Sequence, residues 1–136
     1  MYKTILVPID LAHASEGRKT IDFAIAHRGV DTRVILLHVV EEAPAWVASE
    51  LPAGITEKSV QEAEKAMMAL ASDSGDDLEV EIRHGHAYNT ILEVAEKENA
   101  DLIILASHKP GLIDYFIGSN AAKVVRHAKC SVLVVR

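Results

Sequence analysis

Apolar segments that alternate with amphipathic ones predict an α/β domain. The expected architecture is a flavodoxin-like, doubly wound parallel sheet of five strands in the order 3-2-1-4-5, with helices on both faces. Residues 33–40 (RVILLHVV) and 102–106 (LIILA) are continuous apolar runs, as in parallel strands covered on both sides. Helical spacing in the intervening segments and right-handed crossovers between the strands select that order. At 136 residues, 49% apolar and 25% charged, the chain has globular composition and the length of one domain, residues 1–136.

Residues 3–9 (KTILVPI) are β-branched and apolar and predict strand 1. Ser15 suits an N-cap, Ile21, Ala24, Ile25 and Arg28 follow at helical spacing, and Gly29 supplies a stop. Strand 2 is 33–40. Pro44, Pro52 and Gly54 make 41–55 a long loop, and Trp46 within it suggests a lid or a subunit contact. Ser59 and Glu62 have capping-box spacing ahead of a Val60, Ala63, Met67, Leu70 stripe that reads as core. Leu78–Arg83 alternates like a half-buried edge strand. A helix is expected from about Asn89 to Glu98, strand 4 at 102–106, a helix opening at Gly118-Ser119-Asn120, and strand 5 at Ser131–Val135.

Charge narrows the function. Lys and Arg total 14 against 20 Asp and Glu, a net of −6, which argues against duplex nucleic acid and anionic membranes as partners. The longest apolar run, Val34 to Val40, is interrupted by His38 and is far short of a membrane span. Pro8 and Asp10 break the stretch Ile5–Ile9, so no signal peptide is expected, and the single Cys130 excludes an internal disulfide; a cytoplasmic setting fits. Residues 1–108 carry 9 basic and 19 acidic side chains, whereas 109–136 carry 5 and 1. The basic tail is either a solvated helix face or the neighbourhood of an anionic ligand.

Ligands of such sheets bind beyond the carboxyl ends of the strands where the winding reverses, here between strands 1 and 4. Strand 1 ends at Pro8-Ile9-Asp10 and strand 4 at Leu105-Ala106-Ser107-His108-Lys109, the most polar strand ends in the chain. Asp10 suits a ribose hydroxyl, a base amino group or a metal, or else caps the following helix. Gly118-Ser119-Asn120 at a helix start offers free amides to an anion, or is simply a cap. No G-x-x-x-x-G-K-[ST] loop or G-x-G-x-x-G fingerprint is present. Asp10 lacks the acidic partner of a response regulator, and His84 and His86, the only close histidine pair, have no cysteine cluster beside them, so no metal centre is expected.

KTILVPID, NADLIILASH and GSNAAKVVRHAKCSVLVVR together resemble the universal stress protein family over the whole chain. The ASHKP…GSNAA pattern is most similar to the family's enteric F/G-type subgroup. The resemblance implies an ATP-binding flavodoxin-like fold. Many members carry G-x2-G-x9-G-[ST] after strand 4; here Ala106 and Lys109 stand for the first two glycines, the spacer is one residue short, and only Gly118-Ser119 is intact. An alanine where glycine serves a positive φ would cost roughly 1 kcal/mol. Lys109 can compensate as a point charge on phosphate.

These readings imply an ATP-binding cytoplasmic stress-response protein, in effect a binding module with no catalytic residues assigned. Pro8, Ile9, Asp10 and the backbone at Val39 and Val40 would hold base and ribose. Ala106, Ser107, His108 and Lys109 would line ribose and phosphates. Gly118, Ser119, Asn120 and Ala121 would take the outer phosphates, with Mg²⁺ carried on them. A slow ATPase or self-phosphorylating enzyme, and a member that acts only through oligomeric contacts, are the alternatives. Strand 5 at a sheet edge implies a homodimer, with a tetramer through the long loop.

Overall fold

The computed structural model describes residues 1–41, 45–50, 55–75, 77–107 and 118–136. Strands β1 (Tyr2–Pro8), β2 (Arg28–Glu41), β3 (Glu79–Gly85), β4 (Leu102–Ala106) and β5 (Ser131–Val135) form one parallel sheet in the order β3-β2-β1-β4-β5. Helices α1 (Ala14–His27), α2 (Ala45–Ala48), α3 (Ile55–Ser74), α4 (Ala87–Lys97) and α5 (Ser119–His127) alternate with them. This is the doubly wound, flavodoxin-like architecture that the apolar runs predict.

The central segments of β1, β2 and β4 are apolar because both of their faces are covered. Ile5, Val7, Val34 and Leu36 pack with Ile21 and Ala24 of α1 and Met67, Leu70 and Ala71 of α3. Leu6, Ile35, Leu37, Ile103 and Leu105 turn the other way, onto Ile91, Val94 and Ala95 of α4 and Ala121 and Val124 of α5. Alternation along β1 and β2 thus feeds two separate cores. Burying each such side chain contributes about 1.5–3 kcal/mol.

The helix starts differ from the sequence reading, and the capping shows why. Asp10, not Ser15, is the capping side chain: its Oδ1 accepts the Ala12 N–H at 3.0 Å and opens a 3-10 turn, Leu11–His13, that leads directly into α1. α1 ends at His27 without using Gly29, since the His27 ring donates from Nδ1 to the Phe23 carbonyl at 2.7 Å and Arg28 is already extended. α3 begins at Ile55, which puts Ser59 inside the helix rather than at its cap. The expected 41–55 loop contains α2, on which Trp46 is 72% exposed.

β1 and β4 are bound at their amino ends. The Lys3 and Thr4 amides donate to Asp101 Oδ2 and Oδ1 at 2.8 and 2.9 Å, and the Asp101 N–H donates to the Thr4 carbonyl at 3.0 Å. Pairing continues through Ile5↔Leu102 and Leu6↔Ile103. On its other side β1 stays paired to β2 as far as Pro8↔Leu37, and the next amide, Ile9, donates to the Leu37 carbonyl at 2.7 Å. The chain therefore leans toward β2 as it leaves the sheet, which opens a crevice beside β4.

Burial raises the pKa of Asp101, but the Lys3, Thr4 and Asp101 amides outweigh that and hold it below the ordinary 3.8. A depressed folded value gives stability that is present above the ordinary carboxylate range and lost as pH falls through the folded value. Asp101→Ala should lower stability at pH 7 by about 1–3 kcal/mol. The urea midpoints of variant and parent should converge on acidification; a gap that persists at low pH would show that the carboxylate charge is not what holds the strands.

Candidate functional site

The crevice is a cavity of about 320 Å³ at the carboxyl ends of β1, β2 and β4, walled by the first turns of α1, α4 and α5. It brings together Pro8, Ile9 and Asp10 after β1, Val39 on β2, Ala106 and Ser107 after β4, and Gly118, Ser119, Asn120 and Ala121 at the start of α5. All are candidates from the sequence. Val40 does not line it; neighbouring Val39 and Glu41 do. His108 and Lys109 lie outside the described residues.

The Asp10 carboxylate faces several donors. Oδ1 caps the 3-10 turn, and Oδ2 accepts from His13 Nδ1 at 3.0 Å. Burial raises its pKa, but the His13 and Ala12 hydrogen bonds and the nearby charges of His13 and His38 outweigh that, leaving it below 3.8. A carboxylate has about four acceptor positions. The cap and His13 use two, so Asp10 can be a cap and still accept from a ligand.

α5 starts from Gly118, which has no side chain to cap it. The first intrahelical bond runs from the Ala122 N–H to the Gly118 carbonyl, and Ser119, Asn120 and Ala121 of this first turn line the cavity. Arg126 and His127 in its last turn complement the helix dipole. Lys123 lies 4.6 Å from the Tyr88 ring centroid and Lys129 pairs with Glu96, so part of the basic tail has structural work on α4. Ala106 has no positive φ, so the strain considered for a glycine replacement does not arise there. Burial pushes the Cys130 thiol up, as suits a packing residue at the edge of the α4–α5 core.

Sequence reasoning missed His13, Glu16, Gly17, Leu37, His38, Glu41, Ala87, Ile91 and Leu105, which also line the cavity. His13 and Glu16 enter because the 3-10 turn folds the chain back over the β1 end. His38 donates from Nδ1 to the Ile9 carbonyl at 2.9 Å and so ties β2 to the β1 exit. Its interruption of an apolar strand was the available signal. Glu41 accepts from the Ala87 N–H at 3.3 Å and caps α4 across 46 residues of sequence. Among the described residues no cluster of three or more His, Cys, Asp or Glu could hold a metal ion.

The family model for universal stress proteins matches residues 1–136. The chain belongs to the universal stress protein family. Universal stress protein G of Salmonella typhimurium is 31% identical over 142 residues, covering all of both chains. A universal stress protein of Methanocaldococcus jannaschii is 33% identical over 144 residues, covering 100% of this chain and 83% of its own. Among solved structures, one described as a hypothetical protein used for structure-based assignment of biochemical function superposes with a TM-score of 0.81 at 28% identity, over 99% of this chain and 96% of the other. A universal stress protein solved in complex with cAMP shares the fold, with a TM-score of 0.74 at 19% identity over 99% and 97% of the chains.

Asp10→Ala should cost about 1 kcal/mol, the usual worth of such a cap, while Asp10→Asn should lose much less. Thermal unfolding of both variants checks this. Equal losses would assign the stability to charge pairing with His13 rather than to the cap.

Proposed function

We propose that this protein is an adenine-nucleotide-binding module that acts in the cytoplasm as a stress-response regulator, with ATP as its ligand. The observation that carries the reading is that Asp10 and the α5 amino end line one switch-point cavity. An acceptor suits ribose and base, and a helix amino end with its dipole suits phosphate. In this reading Pro8, Ile9, Asp10 and the Val39 backbone hold the nucleoside, Ala106 and Ser107 line the ribose and first phosphate, and residues 118–121 take the outer phosphates. Lys109 adds charge there, and Mg²⁺ arrives on the nucleotide, since the described residues provide no metal cage. Family membership supports the reading.

Titration calorimetry should show ATP binding with a Kd on the order of micromolar, strengthened by Mg²⁺. Gly118 has φ −54° and ψ 154°, which valine can adopt, so Gly118→Val should keep the fold. Its side chain would obstruct phosphate at the helix end, and affinity should fall by about tenfold or more. No heat with ATP, ADP or AMP would defeat the nucleotide reading; undiminished affinity in a folded Gly118→Val would move the phosphates elsewhere.

The same reading includes a homodimer through β5, with a tetramer contact from the α2 region around Trp46. β5 is an edge strand with Val132, Leu133 and Val134 half-buried, and an unpaired apolar edge favours pairing with its twin. Val134→Pro removes a ladder donor and should shift sedimentation toward monomer. A parent protein that sediments as a monomer at micromolar concentration would refute the assembly.

A further inference from the structure

The last bond between β1 and β2 points to a role for His38 that goes beyond the nucleotide reading and rests on it. In a parallel pair, a bonded residue donates its N–H to one partner carbonyl, and its own carbonyl takes the N–H of the residue two further along that partner. The Ile9 N–H donates to the Leu37 carbonyl at 2.7 Å, so the next ladder bond would run from the Val39 N–H to the Ile9 carbonyl. Among the described residues that bond is not made. His38 Nδ1 donates to the Ile9 carbonyl instead, at 2.9 Å. A side chain of β2 stands in for the strand's own amide.

Residues two apart on a strand present their backbone groups to the same side, so Val39 faces the β1 side as Leu37 does. Paired β1 ends there at Pro8↔Leu37, and Val39 lines the cavity. The Asp101 N–H donates to the Thr4 carbonyl, so Thr4, Leu6 and Pro8 present their backbone toward β4, and Pro8 has no N–H to extend that ladder. Ile9 itself is fixed. It is 4% exposed, and α1 packs so closely that a Cβ on Gly17 would stand 3.1 Å from Ile9 Cγ2. The carbonyl of a buried residue needs a donor, and His38 supplies one without engaging the Val39 amide. We propose that His38 is a positioning residue. It ends the β1–β2 ladder one bond early and keeps the Val39 peptide edge, a donor beside an acceptor, open to the base of the nucleotide.

Amide hydrogen exchange of the ¹⁵N-labelled full chain, read by NMR and corrected for intrinsic rates, tests this together with adenosine titration. Without ligand the Val39 amide should exchange at least about tenfold faster than the Leu37 amide, and saturating adenosine should slow it. His38→Ala lets the ladder close on the Ile9 carbonyl. Val39 should then be protected without ligand, and the adenosine Kd should rise about tenfold. His38→Asn keeps an amide donor near the Nδ1 position and should bring both properties back to within about threefold of the parent. A side chain that only stabilised the fold would lower the melting temperature and leave the Val39-to-Leu37 exchange ratio unchanged. A Val39 amide as protected as Leu37 in the unaltered, ligand-free protein would overturn the inference whatever the variants do, as would undiminished adenosine affinity in a folded His38→Ala. Absence of binding by adenosine and ATP alike would overturn the nucleotide reading and the ligand assigned to this edge, while the exchange ratio would still report whether His38 keeps the edge open.

Discussion

β1 and β4 are joined at one end and parted at the other. Asp101 takes the Lys3 and Thr4 amides and closes the amino ends, while Ile9 turns its amide to Leu37, and the pairing of β1 with β4 stops at Leu6↔Ile103. Both contacts bear on the central strand, which also has α1 on one face and α4 and α5 on the other. A single strand thus anchors two cores and opens the cavity between its neighbours. The reversal of winding at β1 dictates that the cavity lies at the carboxyl ends, where α1, α4 and α5 begin.

That position makes the cavity electrostatically mixed. Helix starts bring amides, and those starts also recruit acidic caps: Asp10 for the 3-10 turn before α1 and Glu41 for α4. α5 is the exception, since Gly118 supplies no side chain. Among the described residues, carboxylates cap two of the helix starts at the cavity and no side chain caps the third. The local burial of Asp10 works against its charge, but its donors outweigh that effect.

The sequence exposed those parts of the fold that depend on local pattern. LIILA and SVLVV match β4 and β5 residue for residue because each is a short apolar run whose neighbours turn abruptly. Helix starts were less legible. Ser15 and Ser59 look like caps in isolation, yet the working caps are Asp10, displaced by a 3-10 turn, and Glu41, which is remote in sequence. The site divides in the same way. Asp10 and Gly118-Ser119 are visible as polar punctuation of apolar runs, whereas His13, Glu16 and Ala87 reach the cavity only through the phase of their helices. Val40 differs from Val39 by one position along the strand, a distinction that an end-of-strand reading does not resolve.

The Asp101 clamp spans 98 residues to Lys3, and its neighbour β4 is the strand that covers that side of β1. A chain emerging from the ribosome can pair β1 with β2 and then β3 as soon as those strands appear. The remaining edge of β1, with Ile5, Leu6 and Val7 all fully buried in the finished protein, stays open until residue 102 and its successors have been synthesised. Such an edge is a template for unwanted strand addition, and contacts this far apart in sequence form late. The interval between translation of β3 and of β4 is therefore when the nascent chain is most exposed to misassociation and has most to gain from a chaperone.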